Sequence, residues 1–227
     1  MTDKKLETKI EYYDNGIVER VYSVDKNGVE QGPTEWYYDN GQLYSKGSYK
    51  DGYPEGPSET YYRNGRLNNK CFYKNGQPEG VSETYYKNGL LWEVENFKNG
   101  KLNGLSEKYY DNGALHMKGY YKDGKLDGPF DVYNMGGLVL KKTIYKMGKK
   151  LSGKVASDYL KKWKEMYFLK KNAREELNAR LAQIDKQMAP TKLRQNAKRA
   201  EVAKFRAKFL DKNYGRVRWS HYNNQEV

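Results

Sequence analysis

The residues that could support catalysis or bind a metal are few and widely separated. The chain has two histidines, His116 and His221, and a single cysteine, Cys71. Neither histidine has neighbours at the spacing of a zinc site. No motif pairs the cysteine with a general base that would activate it. The sequence therefore predicts neither a metal centre nor a nucleophilic one.

One segment matches the spacing of a phosphate-binding loop but lacks part of its chemistry. Gly119 to Lys125 reads Gly-x4-Gly-Lys, yet Leu126 stands where a Ser or Thr would bind magnesium. Both glycines are also explained by turns that recur along the chain. We interpret the match as accidental and expect no cofactor.

The carboxylates recur with a fixed period instead of forming an isolated pair. Four glutamates occupy one repeat position: Glu35, Glu59, Glu83 and Glu107. Such a ladder is typical of a solvated sheet face or of cross-strand partners for lysine, not of a catalytic dyad. These observations together predict a chain that binds without catalysing a reaction.

The composition favours a thin sheet over a thick globular core. Of 227 residues, 37% are hydrophobic, while 23 are tyrosines, which cover apolar surface and keep a polar tip in water. A lone cysteine excludes an internal disulfide. Residues 1–10 lack the apolar core of a signal peptide, and no segment approaches the length of a transmembrane helix. We expect a soluble cytoplasmic protein.

Two patterns repeat in register about every 24 residues. The sequence Tyr-Tyr-x-Asn-Gly begins at Tyr12, Tyr37, Tyr61, Tyr85 and Tyr109, in steps of 25, 24, 24 and 24 residues, and a degraded copy begins at Tyr133. A second pattern, an aromatic residue followed by Lys-Asn-Gly or Lys-Asp-Gly, lies between these copies at residues 49–52, 73–76, 97–100 and 121–124. Two interleaved registers of this length indicate a repeat protein.

The turn chemistry explains the period. Asn-Gly and Asp-Gly adopt positive φ readily, which tight turns between antiparallel strands require. Each 24-residue unit has two such turns and therefore two predicted strands. Between turns the side chains alternate, with Leu105, Glu107 and Tyr109 on one face of a strand. Recurrent glycine argues against helix.

These residues resemble the MORN family, most closely the MORN-variant repeats of bacterial and viral proteins. The signatures Tyr-Tyr-x-Asn-Gly and Tyr-Lys-x-Gly-x-x-x-Gly persist from about Glu11 to Gly153. The resemblance implies an elongated, twisted, single-layer antiparallel sheet of successive hairpins, and the period and turns support it independently. Because residues 134–137 replace the usual turn with Asn-Met-Gly-Gly, the copy at Tyr133 is predicted to cap the array.

After Gly153 the turn signals stop and helix formers take over. Nine residues at 3-4 spacing from Leu160 to Met188 include seven apolar or aromatic ones, which predicts a long amphipathic helix that ends by Pro190. Lys170 and Arg174 interrupt this stripe. A second helix is predicted over residues 192–210 and a tail over 215–227. The fold class is therefore α+β, with a repeat array over residues 1–153 and a basic helical segment over 154–227.

The charge divides along the same boundary. Residues 1–153 hold 23 basic and 21 acidic side chains, a balance of +2, whereas residues 154–227 hold 19 and 8, a balance of +11. Residues 190–227 alone carry ten basic and three acidic side chains, a balance of +7. This segment is interpreted as a solvated helix face, a nucleic-acid contact through phosphates, or a contact for an acidic protein or anionic membrane.

The candidate contacts of the basic segment mix cations with aromatic rings that could stack on bases. They are Arg194, Lys198, Arg199, Lys204, Arg206, Lys208, Arg216, Arg218 and Trp219. With no base-reading motif in the sequence, any nucleic-acid binding is expected to be independent of base sequence.

The sheet itself is predicted to dock a protein partner. A tyrosine stripe at one repeat position is the candidate docking surface, formed by Tyr37, Tyr61, Tyr85 and Tyr109. The family resemblance implies a neutralising or inhibitory binder of another protein, since many bacterial relatives carry an antitoxin label. The alternatives are a nucleic-acid-binding protein with the repeats as scaffold and a membrane-linked scaffold, although the sequence has no lipidation motif or long apolar segment to add support for the latter. Self-association through the long helix is a further expectation.

Overall fold

The computed structural model describes residues 6–187, Lys198 and residues 201–202. The chain divides into two compact units, residues 1–153 and residues 154–227. The strands of the first unit are β1 (Glu7–Tyr12), β2 (Val18–Val24), β3 (Glu30–Tyr37), β4 (Leu43–Lys50), β5 (Tyr53–Pro54), β6 (Gly56–Tyr61), β7 (Leu67–Lys74), β8 (Gln77–Pro78), β9 (Gly80–Tyr85), β10 (Leu91–Lys98), β11 (Lys101–Leu102), β12 (Gly104–Tyr109), β13 (Leu115–Lys122), β14 (Lys125–Tyr133), β15 (Val139–Lys146) and β16 (Lys149–Leu151). The helix α1 (Gly153–Gln187) follows.

The strands form one long, open, antiparallel sheet in which neighbours in space are neighbours in sequence. The order runs β1-β2-β3-β4-β6-β7-β9-β10-β12-β13-β14-β15-β16. The two-residue strands β5, β8 and β11 pair beside this path with β4, β7 and β10. The predicted α+β class and hairpin array are therefore confirmed, with one addition, because three of the units carry a short third strand.

The Tyr-Tyr-x-Asn-Gly segments close one set of hairpins. In the copy at residues 85–89, the Gly89 amide donates to the Tyr86 carbonyl at 2.8 Å and the Tyr86 amide donates to the Leu90 carbonyl at 2.8 Å. The Asn88 side-chain oxygen accepts from the Leu90 amide at 2.9 Å. Gly89 has a φ of 92°, which a side chain would strain. The motif thus encodes a turn that ends in a glycine bulge.

The second turn also fastens each unit to the preceding one. Asn75 and Gly76 have φ of 49° and 75°, the signature of a two-residue type I′ hairpin. The Gly76 amide donates to the Pro54 carbonyl at 2.9 Å, and the Asn75 amide donates to the Glu55 carboxylate at 2.7 Å. The same pair of bonds recurs 24 residues later at Asn99 and Gly100. These bonds set how neighbouring hairpins pack, which the sequence period alone left open.

The degraded copy at Tyr133 still forms a hairpin turn. The Asn134 side-chain oxygen accepts from the amides of Gly136 and Leu138 at 3.0 and 2.9 Å, and Gly137 has a φ of 81°. The asparagine of this turn has moved to the first position, where it holds the same backbone shape. Strand β15 follows it, so the array extends through this copy.

Helix α1 runs without interruption through the region predicted to be helical. Its least exposed side chains are Trp163 and Ala173, at 9% and 5% exposure, and the Trp163 ring stacks on Tyr167 with centroids 5.0 Å apart. The covered line passes through Ala173, so Arg174 lies beside it on the exposed surface. The predicted stripe was therefore displaced by one residue at this point.

Only fragments of the second predicted helix fall within the described residues. Lys198, Glu201 and Val202 are helical, and the Arg180 guanidinium lies 3.4 Å from the Glu201 carboxylate. The rest of residues 192–210 and the predicted tail lie outside the described part of the chain. Within that part, no helix is long and apolar enough to cross a bilayer.

Candidate binding surfaces

The two faces of the sheet differ in chemistry and in burial. One face carries small hydroxyl side chains that are almost fully covered: Thr34, Ser82, Ser106 and Thr143. We call this the hydroxyl face. Half-buried aromatic rings flank the hydroxyls, and burial raises the pKa of Tyr73 and of Tyr121. Covered polar groups need partners, and Asn69 supplies some by donating to Ser82 and Thr84 at 3.1 and 2.9 Å.

Charge is concentrated at one place on the hydroxyl face. Glu93 is only 8% exposed and lies on β10 directly opposite Thr84 on one side and Lys108 on the other. The Lys108 ammonium is 2.7 Å from the Glu93 carboxylate and 5.5 Å from the Trp92 ring centroid. Glu95 lies two residues along the same strand and so on the same face. We call Glu93, Glu95 and Lys108 the carboxylate cluster.

The carboxylate cluster carries one more negative than positive charge. Burial raises the pKa of Glu95, and the charge of Glu93 raises it further, while Lys108 opposes the rise. The hydrogen bond to Glu93 raises the pKa of Lys108, which keeps the ammonium charged. Since Lys108 is committed to Glu93, Glu95 is the group whose ionised form lacks full compensation.

The carboxylate cluster is not evident from the repeat pattern, because it appears only as a departure from that pattern. The residues equivalent to Glu93 in the two preceding units are Asn69 and Ser45, and those equivalent to Glu95 are Cys71 and Gly47. Neither glutamate belongs to the recurring pattern, so the repeat does not draw attention to them. The usable signal was that β10 alone places two acids at positions that are neutral in both preceding units.

The opposite face carries the tyrosine stripe predicted for docking. The stripe hydroxyls donate to the carboxylate two residues earlier: Tyr37 to Glu35 at 2.6 Å, Tyr61 to Glu59, Tyr85 to Glu83, and Tyr109 to Glu107 at 3.1 Å. We call this the ladder face. The four rings are half-buried, so only part of each ring is accessible to a partner. Their hydroxyls bond within the sheet. Their role in docking stays a prediction.

Lysines on the neighbouring strand complete the ladder. Lys46 and Lys70 lie 2.8 and 2.9 Å from the carboxylates of Glu59 and Glu83. Hydrogen bonds from Lys46 and Tyr61 lower the pKa of Glu59. For these two glutamates the expectation of cross-strand partnership with lysine is confirmed.

The second tyrosine of each motif bonds to the next unit. Five hydroxyls donate to a backbone carbonyl 23 or 24 residues ahead: Tyr13 to Tyr37, Tyr38 to Tyr61, Tyr62 to Tyr85, Tyr86 to Tyr109 and Tyr110 to Tyr133, at 2.6 to 2.9 Å. The two tyrosines of the motif therefore do different work. The first bonds within its strand, and the second ties consecutive units together.

Cys71 and the Gly119–Lys125 segment, considered above as possible reactive sites, both lie in strands and turns of the sheet. Cys71 lies half-buried in β7, where burial raises the pKa of its thiol and disfavours the reactive thiolate. Gly119 lies within β13 and Gly124 in the following hairpin turn, so the loop-like spacing spans a hairpin and not a strand–loop–helix. Across the described residues no cluster of His, Cys, Asp or Glu could hold a metal ion.

Of the predicted basic contacts, only Lys198 is described. It is helical and partly buried. Arg194, Arg199, Lys204, Arg206, Lys208, Arg216, Arg218 and Trp219 lie outside the described residues. Helix α1 itself carries nine basic and five acidic side chains, a balance of +4. On its surface Lys161 and Lys164 lie beside the exposed Phe168 and Leu169.

Comparison with known proteins identifies the repeat. The family model described as MORN repeat variant matches residues 30–51, 54–75, 78–99 and 102–123. No curated protein matches the chain. Among solved structures, the chain is similar to one chain in the crystal structure of accessory secretory protein 1, 2 and 3 of Streptococcus pneumoniae, at 13% identity and a TM-score of 0.17. That match covers 58% of this chain and 19% of the other. Residues 30–123 therefore match four consecutive MORN-variant repeats, and such repeats suggest a repeat-based binding module.

Proposed function

We propose that the chain is a non-catalytic protein-interaction module whose hydroxyl face binds a segment of a partner protein that presents a basic side chain. The carboxylate cluster is the observation that carries this proposal. Glu93 is nearly covered and Glu95 half-covered, and among the described residues Lys108 is the cation that balances them. An uncompensated charge away from water is costly, and a lysine or arginine from a partner would relieve that cost.

The ladder face is a weaker candidate for such a contact. Its carboxylates are already bonded to tyrosine hydroxyls, and Glu59 and Glu83 also to lysines. These carboxylates are therefore already partly compensated, so a basic side chain from a partner would gain less there. A partner on that face would contact half-buried rings and satisfied ion pairs, which give little affinity in exposed settings.

Photo-crosslinking from adjacent residues on opposite faces tests the choice of surface. A photoreactive amino acid replaces Thr84, which is cross-strand from Glu93, or Tyr85 on the ladder face. In extract of the native host we expect a protein adduct from position 84 and none from position 85. Glu95→Gln should weaken the adduct, whereas the control Glu59→Gln should leave it unchanged. An adduct from position 85 alone would assign binding to the ladder face.

The basic C-terminal segment is proposed to contact an acidic macromolecule. Its +11 balance against +2 for the repeats supports a separate electrostatic role. With one part engaging a protein and another an acidic surface, the chain could act as a neutralising or inhibitory binder. The alternative is sequence-independent nucleic-acid binding, favoured by the cations and aromatic residues interleaved over residues 192–219.

Salt-dependent retention on DNA and RNA separates these alternatives. If the segment binds phosphates, affinity falls steeply with salt because bound counterions are released. Removal of residues 191–227, or Arg194, Lys198, Arg206 and Lys208 changed together to Glu, should abolish retention. Trp219→Ala should weaken single-strand binding more than duplex binding. No retention at low salt would reject the nucleic-acid alternative and leave the acidic protein.

A further inference from the structure

The sheet ends in two strand edges of different charge. Strand β1 pairs with β2 on one side only, and β15 pairs with β16 only from Ile144 onward. Among residues 6–187 no strand occupies the outer edge of β1 or the outer edge of β15 from Val139 to Thr143. Open edges of five or six residues are templates for adding another strand.

Strand β1 is of the same repeat type as the strand that is missing beside β15. In the array, β13 is followed in space by β14, with Met117 opposite Val132 and Gly119 opposite Phe130. The residues one unit later on β15 are Lys141 and Thr143. By the repeat, Glu11 and Lys9 of β1 are the equivalents of Val132 and Phe130. Continuing the internal register would thus place Glu11 opposite Lys141 and Lys9 opposite Thr143.

We propose that this edge binds a second copy of the chain, with β15 of one molecule pairing antiparallel with β1 of the next in the register of the internal repeats. The first support is charge. Lys141 opposite Glu11 would occupy the same pair of positions as Glu93 and Lys108, which form an ion pair at 2.7 Å within the chain. In the proposed pair the lysine takes the strand position that Glu93 has in the internal pair, and Glu11 takes the position of Lys108.

The ladder face supplies a second match. Lys46 lies 5.8 Å from the Tyr61 ring centroid on the neighbouring strand. Lys142 is its equivalent on β15, and Tyr12 is the equivalent of Tyr61 on β1. Tyr12 is 58% exposed, whereas Tyr61 is half-buried beneath its neighbour. Joining the edges would cover Tyr12 in the way that each internal tyrosine is covered.

The turns supply a third match. Ile17 contacts the position of Gly41, with 3.8 Å between its Cγ2 and the point a Cβ would occupy. Leu138 is the equivalent of Ile17 in the last turn and is 68% exposed. In the proposed junction Leu138 would cover Gly16, which removes an exposed apolar side chain from water.

Pairing of like edges is disfavoured by the same residues. Two β15 edges would bring Lys141 and Lys142 of both copies together, and like charges opposite each other destabilise a strand pair. Two β1 edges paired about Lys9 would likewise set Lys9 against Lys9 and Glu7 against Glu11. The contact is therefore heterologous, joining head to tail, and repeats along an open line of molecules. It does not depend on what the hydroxyl face binds.

Sedimentation velocity over a series of concentrations tests the junction. We expect the wild-type chain to form species larger than a monomer as concentration rises, and Lys141→Glu or Glu11→Lys to remain monomeric with unchanged melting. A mixture of the two variants should associate again, because each junction then joins opposite charges. Lys87→Glu, an equal charge change at an exposed mid-array turn, should behave as wild type.

Two outcomes would overturn the proposal. One is a wild-type chain that stays monomeric throughout the series, and the other is single variants that associate as wild type does. Disulfide capture gives an independent reading in a Cys71→Ser background. Directly opposed residues lie about 4.5–5.5 Å apart at Cα, within disulfide range. Glu11→Cys with Lys141→Cys should form a covalent ladder of dimers, trimers and higher species, whereas Glu11→Cys alone should form none beyond a dimer. Absence of the ladder under oxidation would reject the register.

Discussion

The smallest stabilising unit of the array is a tyrosine hydroxyl that reaches the backbone of the next repeat. The Tyr86 hydroxyl donates to the Tyr109 carbonyl at 2.8 Å in a part-buried setting. The accepting carbonyl lies where the strand register shifts before the next turn. Because the bond joins residues 23 positions apart, it couples two units that strand pairing and turn amides also hold together.

Removing one such hydroxyl should weaken the array measurably. We expect Tyr86→Phe to lower the free energy of unfolding by about 1 kcal/mol, the typical net value of one hydrogen bond with a partner left unsatisfied. Urea denaturation provides the measurement. Tyr53→Phe, at a ring that is 62% exposed, is the control and should change little. Equal losses for the two variants would contradict the coupling role of Tyr86.

The pKa values of carboxylates on the two faces are shifted in opposite directions, so their contributions to stability should depend on pH in opposite ways. The pKa of Glu95 is raised by burial, so the folded state binds its proton more tightly than the unfolded state and stability falls as pH rises through that range. The pKa of Glu59 is lowered by hydrogen bonds from Lys46 and Tyr61, so its contribution is present at neutral pH and is lost as pH falls.

A pair of isosteric variants reveals these signs. The melting temperature of Glu95→Gln minus that of wild type should increase between acidic and neutral pH, since the variant avoids the buried charge. For Glu59→Gln the same difference in melting temperature should decrease over this pH range, since the variant lacks the ion pair with Lys46. Thermal melts at several pH values provide the test. Differences of the same sign would show that the two environments are alike.

Sequence reasoning located recurring residues well and exceptional ones poorly. Asn88 and Gly89 were predictable because a turn needs positive φ wherever it occurs. Glu93 and Glu95 were not, because their importance depends on burial beside Lys108, which no spacing in the sequence encodes. The tyrosine stripe was predictable as a row, but the partners of its hydroxyls depend on how the side chains lie on the folded strand.

At the scale of the hairpin, the repeats compensate for one another's side chains. Phe130 occupies a position that is Ser in three earlier units, Ser58, Ser82 and Ser106. Opposite it stands Gly119. A Cβ on Gly119 would approach Phe130 Cδ2 to 2.7 Å and Leu126 Cδ2 to 3.1 Å, closer than packing permits. The absent side chain of one strand makes room for the ring of the next.

This compensation predicts a strong dependence of one variant on another. Gly119→Ala should cost about 1–3 kcal/mol by overpacking. In a Phe130→Ser background the same change should cost much less, a coupling measurable as a double-mutant cycle. Gly47→Ala is the matched control, since its Cβ would sit 3.5 Å from Ser58, an ordinary contact. Equal costs at the two glycines would refute the steric account.

The long helix illustrates how far a periodic pattern can be followed. A fixed 3-4 alternation is close to 3.5 residues per turn, whereas a helix has 3.6, so the two drift apart over successive turns. Ala173 is buried and Arg174 exposed, but at 3.6 residues per turn Arg174 lies nearer to Trp163 around the helix than Ala173 does, so this drift does not explain which of the two is covered. The existence of α1 was predictable from a pattern that begins at Leu160, whereas its start at Gly153 and the phase of its middle turns were not.

The chain combines two units that are stabilised in different ways, a repeat sheet and a helical segment. Each unit of the sheet is bonded to its immediate neighbours through strand pairs, turn amides and tyrosine hydroxyls. Stability in such an array is approximately a sum of unit and neighbour contributions. The basic segment contributes most of the net charge but none of the repeat bonds described above, so the sheet should not require it to fold.

A fragment of residues 1–153 should therefore fold alone, with a β-type circular dichroism spectrum and cooperative melting, while the helical signal of the full chain disappears. A shorter fragment of residues 1–123 ends after β13 and lacks the Tyr133 carbonyl that accepts from the Tyr110 hydroxyl at 2.9 Å. Loss of that bond and of the β13–β14 pairing should lower its melting temperature below that of the longer fragment. Substantial helix in residues 1–153 would contradict the division between sheet and helix. Failure of that fragment to melt cooperatively would mean that the sheet depends on the C-terminal segment.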